Sequence, residues 1–447
     1  MIAHTKKRIA IFTILLAGAL PAGGADLLEI YRLAQSSDAQ YAAARATWSA
    51  SQEKLPQGLA GLLPAASLSA STQYNDRELR PRDPTISTST GRFNSNSVSV
   101  SVTQPLYRPQ NITAYGQAKT QVAQADAVFS LAAQDLILRV AQAYFDVLLG
   151  QDTVAFAQAQ LVAIGRQLEQ AKRNFEVGTA TITDTHEAQS RYDITVSTEI
   201  TARNDLEIRK RLLELLIGRP TPGTSPLGKR FELRTPEPAS MDRWVAEAAN
   251  NNLQVRISRA NLEFSTQEIE RNRAGHRPTI DAFATYSDSG SGSTSGVLGG
   301  TGTDTNNRVV GVQLAIPIYQ GGIVSSRVRE AVANEDKARQ DLEGTRRTAE
   351  LTARQAYLGV TSGIAQVRAL EAALVSSQSS LASTRLGQEV GVRTQIDVLN
   401  AQQQLSQTRR DLAQAKYNYI LALLRLKAAA GQLTEQDLAQ VNAWLDR

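Results

Sequence analysis

The 447-residue sequence predicts a mainly α-helical fold with a smaller membrane-type β part, built as a tandem duplication of one unit. Three observations carry that reading: two proline-free tracts, a constant offset between the halves, and paired alternating segments at the same place in each half. All 14 prolines fall at 21–109, 220–238, 278 and 317, leaving 110–219 and 318–447 without one. An interior proline costs a helix about 3 kcal/mol, so these tracts, rich in Ala, Gln, Leu, Arg and Glu, read as long helices. Glu176-Val177-Gly178 followed by Thr181 and Asp184 returns as Glu389-Val390-Gly391 followed by Thr394 and Asp397, 213 residues later. Arg45-Ala46 and Pro64 return at an offset of 214, and Pro105 and Tyr107 at 212. Solenoid repeats are about 20–50 residues, so this is one large unit used twice.

Residues 1–25 are expected to be a secretory signal: Lys6-Lys7-Arg8, an apolar run from Ile9 to Leu20, then small residues at Gly23 and Ala25. That run is too short to span a bilayer, and no later transmembrane helix is expected. Removing it takes three charges from the formal +5 and leaves +2, so the pI of about 9.3 is no sign of nucleic-acid binding.

The first unit, 26–239, reads as an opening helix near 26–60, strands near 65–76 and 93–104, a long helix, a turn near 178–184, a helix, and a Pro/Gly linker at 219–239. The second, 240–447, repeats this with an opening helix near 240–275, strands near 279–288 and 308–318, a turn near 391–397 and a C-terminal tail. At about 1.5 Å per residue the long helices reach roughly 100 Å and the others about 50 Å. Two short helices stacked end to end therefore match one long one, giving four columns of equal height. In the last helix Val398, Leu405, Leu412, Tyr419 and Leu426 form a heptad seam. Its first-half counterpart, through Ala188, Tyr192, Ala202, Leu206, Leu213 and Leu216, is interrupted by Glu199 and Arg209. Gly178 and Gly391 mark the turns. Asp184 is expected to cap its helix with Glu187 as capping-box partner, and Asp397 to occupy the same place.

In the strands Val98, Val100 and Val102 alternate with serines, and Val310, Val312, Leu314, Ile316 and Ile318 alternate with Gly311, Gln313 and Ala315. Period-2 alternation over about 10 residues suits a strand with one face in lipid and the other in water. Val98, Val100, Val102, Val310, Val312, Leu314 and Ile316 are the expected lipid-facing positions. Arg77 to Arg92 and Asp288 to Asn307 read as long polar loops. Four strands cannot close a barrel, and an open edge is not tolerated in lipid, so several chains must share one.

Composition argues against catalysis: the chain has no Cys and 3 His. His186-Glu187 lacks a second His at Ser190, Gly228-Lys229-Arg230 lacks the rest of a phosphate loop, and Gly290, Gly292 and Gly296 precede no helix. His276, beside Pro278, reads as a surface residue. No enzyme activity, cofactor, metal site or nucleic-acid partner is expected.

The run from Val375 to Asp437 resembles the TolC family of outer-membrane channels. The resemblance rests on Ser379-Ser380-Leu381, Val390-Gly391-Val392-Arg393-Thr394, Ile396-Asp397-Val398-Leu399-Asn400-Ala401, Ala415-Lys416-Tyr417-Asn418-Tyr419-Ile420 and Gly431-Gln432-Leu433-Thr434-Glu435-Gln436-Asp437. Val177-Gly178, Ile182-Thr183-Asp184, Thr201-Ala202-Arg203-Asn204 and Leu63-Pro64 extend it over the first half. It implies a homotrimer in the cell outer membrane with a large periplasmic part: a shared twelve-stranded β-barrel above a coiled-coil-like α-helical tunnel. It also implies a periplasmic adaptor, or membrane-fusion, protein and an inner-membrane ABC or proton-driven transporter as partners. Asp397 and Asn400 match the family's acidic constriction at the periplasmic mouth, with Asn where the family has an acid. Thr183, Asp184, Arg393 and Gln388 match its closing network, Gln388 standing at an aromatic position. The expectation is a single Asp397 carboxylate ring, with Arg393 paired to Asp184. The missing cysteine excludes an acylated N-terminus, which tilts the reading toward type I protein secretion, with small-molecule efflux open. The competing reading is a periplasmic coiled-coil adaptor or spacer with small β modules.

Overall fold

A computed structural model describes residues 25–83, 85, 88–221, 223–292 and 302–446. The expected signal segment lies outside them except for Ala25. The order of elements is the same in both halves. The opening helix of the first is broken into α1 (Leu27–Ser37), α2 (Ala39–Gln52) and α3 (Lys54–Ala60). Strands β1 (Ala65–Leu79) and β2 (Ser89–Tyr107), the long α4 (Pro109–Glu176) and α5 (Ile182–Ile217) follow. The second half has α6 (Met241–Asn251), α7 (Leu253–Arg273), β3 (Thr279–Ser291), β4 (Thr303–Ala315), α8 (Ile323–Glu389), α9 (Gln395–Ala429) and α10 (Glu435–Asn442).

Continuous opening helices were expected; the breaks have local causes. Asp38 stops α1 and caps α2, its carboxylate accepting from the Tyr41 N–H at 2.6 Å. Arg139 of α4 donates to both Asp38 oxygens and holds this carboxyl below the usual range. Asn252, 214 residues on, caps α7 in the same way, accepting from Gln254 and Val255. Pro56 explains the break before α3, because its ring clashes with the carbonyl of Gln52. The end-to-end stacking happens at these breaks. Gly218, which closes α5, lies against Ser37, and Gly431, beyond α9, lies against the backbone of Asn251. Each short helix therefore continues into α2 or α7, while α1 and α6 pack to the side.

That sideways layer makes a belt across the middle of α4, and the main core is there. Leu136, Val140, Tyr144, Phe145 and Leu148 of α4 pack with Leu27 and Ile30 of α1, Leu213 and Ile217 of α5, Tyr419, Ile420 and Leu424 of α9, and Leu438 of α10. Full burial is worth roughly 1.5–3 kcal/mol for each large apolar side chain. The expected linker at 219–239 is strapped into this belt. Tyr144 accepts from the Ser225 N–H at 2.9 Å, Tyr419 accepts from the Arg234 N–H at 2.8 Å, and Phe231 packs edge-on against Tyr419 and Trp444. The C-terminal tail joins it through the Leu227–Leu445 bridge. Against expectation, α4 and α8 each contain a stretch long and apolar enough, by length and composition alone, to cross a membrane; most of each stretch is not buried within this chain.

The α9 seam is buried at Val398, Leu405 and Leu412 below the belt and at Tyr419 and Leu426 within it. In α5 the two expected interruptions are accommodated by polar partners. Glu199 is buried and accepts from Arg203 and Gln158, and Arg209 donates to the Asp146 carbonyl at 3.1 Å.

The strands form one antiparallel sheet in the order β1-β2-β3-β4. They reach well into the segments expected to be loops, because a backbone ladder pairs as readily between polar residues. Asn75 donates to Ser95 and Arg92 pairs with Asp76 beyond the apolar rows. At the other end β4 stops at Ala315, before Pro317, which has no N–H for a ladder; Ile316 and Ile318 thus lie beyond the strand, contrary to expectation. Pro105, its counterpart in β2, sits at a register shift. The joint between strand and helix is held by Arg108, at the head of α4, with a two-pronged contact to Asp281 of β3 at 2.7 Å.

Gly178 and Gly431 separate two costs of losing a glycine. Both have positive φ, but a Cβ at Gly178 meets open space and one at Gly431 overlaps the Asn251 backbone. Gly178→Ala should cost about 1–2 kcal/mol from the left-handed backbone alone. Gly431→Ala should cost clearly more, read as a larger fall in thermal midpoint in detergent.

Candidate functional site at the hairpin turns

The two turns share one hydrogen-bond pattern. In the first, Thr181 is the N-cap: its hydroxyl accepts from the Asp184 N–H at 3.2 Å, and Asp184 Oδ2 accepts from the Thr181 N–H at 3.0 Å and hydroxyl at 2.8 Å. In the second, Thr394 and Asp397 repeat this at 3.2, 2.9 and 3.0 Å. Asp184 and Asp397 are therefore third-position partners in the capping box and not the caps, as the sequence reading had them. The Thr-x-x-Asp spacing carried the signal. Gly178 and Gly391, with φ of 79° and 83°, supply the left-handed residue that reverses the chain. The Thr394 backbone N–H first, then its hydroxyl, then the Arg393 charge hold Asp397 ionised below the ordinary carboxylate range.

Arg393 folds back over the end of α8, its side chain close to Gly387. Within one chain no ion pair joins it to Asp184. Gln388 donates to Gln395 across the same turn. Thr183 lies exposed in the first turn of α5. Asn400 does not stand alone: its Oδ1 accepts from Arg191 of α5 at 3.4 Å, and Arg191 also donates to Gln403 at 3.1 Å. Sequence reading missed Arg191, which resembles any arginine on a polar helix face. Val177, Val390 and Val392 stand out at the tips, exposed by 72%, 66% and 75%.

At the opposite end, the sheet separates its faces. Val98, Val100 and Val102 lie on one exposed face, in register with Ala70, Leu68 and Ala66 of β1 and with Asp288, Tyr286 and Ala284 of β3. Val310, Val312 and Leu314 continue that face on β4. The other face is polar, with serines bonded across strands: Ser67 to Ser101 at 2.8 Å and Ser69 to Ser99 at 2.7 Å.

The sequence profile described as outer membrane efflux protein matches residues 30–219 and 244–432. The chain belongs to this family of outer-membrane channels. Its relatives in the family include outer membrane protein TolC of Vibrio cholerae, 33% identical over 98% of this chain and 99% of that protein. Also similar are the proteases secretion protein PrtF of Dickeya chrysanthemi, 32% identical over 98% and 95%, and the alkaline protease secretion protein AprF of Pseudomonas aeruginosa, 33% identical over 93% and 86%. Among solved structures, the outer membrane protein VceC of Vibrio cholerae has a TM-score of 0.75 at 17% identity, covering 91% of this chain and 96% of that one. A membrane protein from Pseudomonas aeruginosa gives 0.77 at 19%, covering 93% and 92%. This efflux-protein fold is a tandem-repeat helical tunnel below a β-barrel, and its place is the outer membrane.

The stabilisation from the Thr394–Asp397 capping box is fully present above the unfolded value of about 3.9 and is lost as pH falls through the lower folded value. Thr394→Val removes the hydroxyl donor, so the Asp397 carboxyl titration, followed by carbon NMR, should move upward toward the ordinary value.

Proposed function

We propose that the chain is the outer-membrane conduit of a type I protein secretion system. Three copies close a barrel and a tunnel that receive cargo from a periplasmic adaptor and an inner-membrane transporter. The observation that carries the assembly is the open sheet. β1 and β4 are edges, and an unpaired ladder in hydrocarbon costs several kcal/mol per group, so each edge needs a neighbouring chain. With four strands per chain, β4 of one copy meets β1 of the next antiparallel, and three copies give twelve strands. Val98, Val100, Val102, Val310, Val312 and Leu314 then face lipid, and the serine face lines the lumen.

The helices support the same assembly. On α5 the positions Ile194, Thr198, Thr201, Asp205, Ile208, Leu212 and Leu215 advance by four and three, and Ile194, Ile208, Leu212 and Leu215 are exposed. On α8, Leu351, Leu358, Ala365, Ala372, Ser379 and Leu386 recur every seventh residue and are exposed as well. Both are heptad stripes without a packing partner among the described residues. Both helices adjoin the tip turns, so Leu215 and Leu351 each lie about 50–60 Å above the tips and the stripes match in height. The exposed valines at the tips offer an apolar contact for the adaptor.

At the mouth, Asp397 and its symmetry mates form the charged ring, and Arg393 reaches Asp184 of a neighbouring copy. Two relatives of about a third identity are named as protease secretion proteins, which favours protein cargo. A detergent-extracted, heat-modifiable trimer from the membrane fraction is expected, and a soluble monomer would exclude the channel. In planar bilayers Asp397→Ala should lose most of the cation preference, and deletion of the chain should deplete specific proteins from the medium. Unchanged secreted proteins with increased drug sensitivity would assign the channel to efflux.

A further inference from the structure

The two hairpins, α4/α5 and α8/α9, part below the belt. At the lower edge of the belt Tyr417 of α9 donates its hydroxyl to Asp152 of α4 at 2.7 Å while its ring stacks on Phe145. From there toward the tips a cavity of about 250 Å³ separates α4 and α5 from α9, with Phe156, Ile164 and Thr195 on one side and Leu399, Ser406 and Arg410 on the other. Side chains lining a void lose dispersion contacts on that side, so packing alone holds the hairpins together weakly at this level.

One side chain crosses the lower end of the gap. Arg191 of α5 donates Nη1 to Gln403 Oε1 at 3.1 Å and Nη2 to Asn400 Oδ1 at 3.4 Å, with Glu187 of its own helix 3.9 Å away. Among the described residues it is the only hydrogen-bonded link between the hairpins below Asp152 and Tyr417. Its acceptors are neutral amides, which bind a guanidinium less strongly than a carboxylate would. Asn400 is one turn from Asp397 on α9.

We propose that Arg191 is an intrachain latch: it ties the first turns of α9 to α5, positions Asp397, and sets the resting width of the mouth. The Tyr417–Asp152 contact is the fulcrum about which α9 swings once the latch parts. Arg191 lies outside the closing network that the family resemblance implies, and its partners are in the same chain. The latch rests on the channel reading given above.

The test is single-channel recording of the full-length assembly in planar bilayers. Arg191→Gln should raise resting conductance several-fold, and Arg191→Lys, which keeps the charge and loses the fork, should fall between. Asn400→Ala with Gln403→Ala removes the acceptors, leaves Arg191 in place and should give the same rise. Because the chain has no cysteine, Arg191→Cys with Gln403→Cys can be bridged by a cleavable bifunctional thiol reagent. The bridge should restore low conductance and a reductant should release it. Wild-type conductance in Arg191→Gln and in the double alanine variant, with no effect of the bridge, would overturn the latch. A wild-type chain that forms no pore would instead overturn the channel reading beneath it.

Discussion

A β-strand in hydrocarbon must have every backbone N–H and C=O paired, and this chain brings four strands with two open edges. β1 has 15 residues and β4 has 13, so a long ladder is exposed on each side. Among the described residues no further strand pairs with them, and β2 and β3 already use both of their edges. The even number of strands makes β4 run antiparallel to the β1 of the next copy, which suits a closed ring. Once the ring closes, the helices below each strand pair are set around the same axis.

The belt transmits that arrangement downward. Asp38 and Asn252 break the opening helices at the same place in both repeats, and Gly218 and Gly431 let α5 and α9 approach those breaks closely. The walls thus keep one height while α1, α6, α10 and the 219–239 segment leave the wall and supply its one thick core. Above and below that core the helices rely on thin seams. The uncovered stripes on α5 and α8 are what such a wall requires at its open sides.

Much of this was legible because it depends on local periodicity. The absence of proline after Pro109 marked α4, the recurring Val-Gly turn marked the duplication, and the valine–serine alternation fixed the faces of β2. The strand ends were not legible, since Asn75, Asp76 and Arg92 pair outside the apolar band, where hydropathy gives no signal. The helix breaks were legible in principle: Asp38 and Asn252 are good caps at a common offset, but each sits within a run of otherwise helical composition. Arg191 was not legible, because its partners lie more than 200 residues away and only the packing of α5 near α9 brings them within reach.

Amide hydrogen exchange of the detergent-extracted assembly, resolved along the sheet, addresses the shared barrel most directly. If neighbouring copies pair the edges, β1 and β4 should exchange as slowly as the central strands β2 and β3 along the rows from Ala66 to Ala70 and from Val310 to Leu314. Fast exchange confined to β1 and β4, with β2 and β3 protected, would show open edges and contradict it.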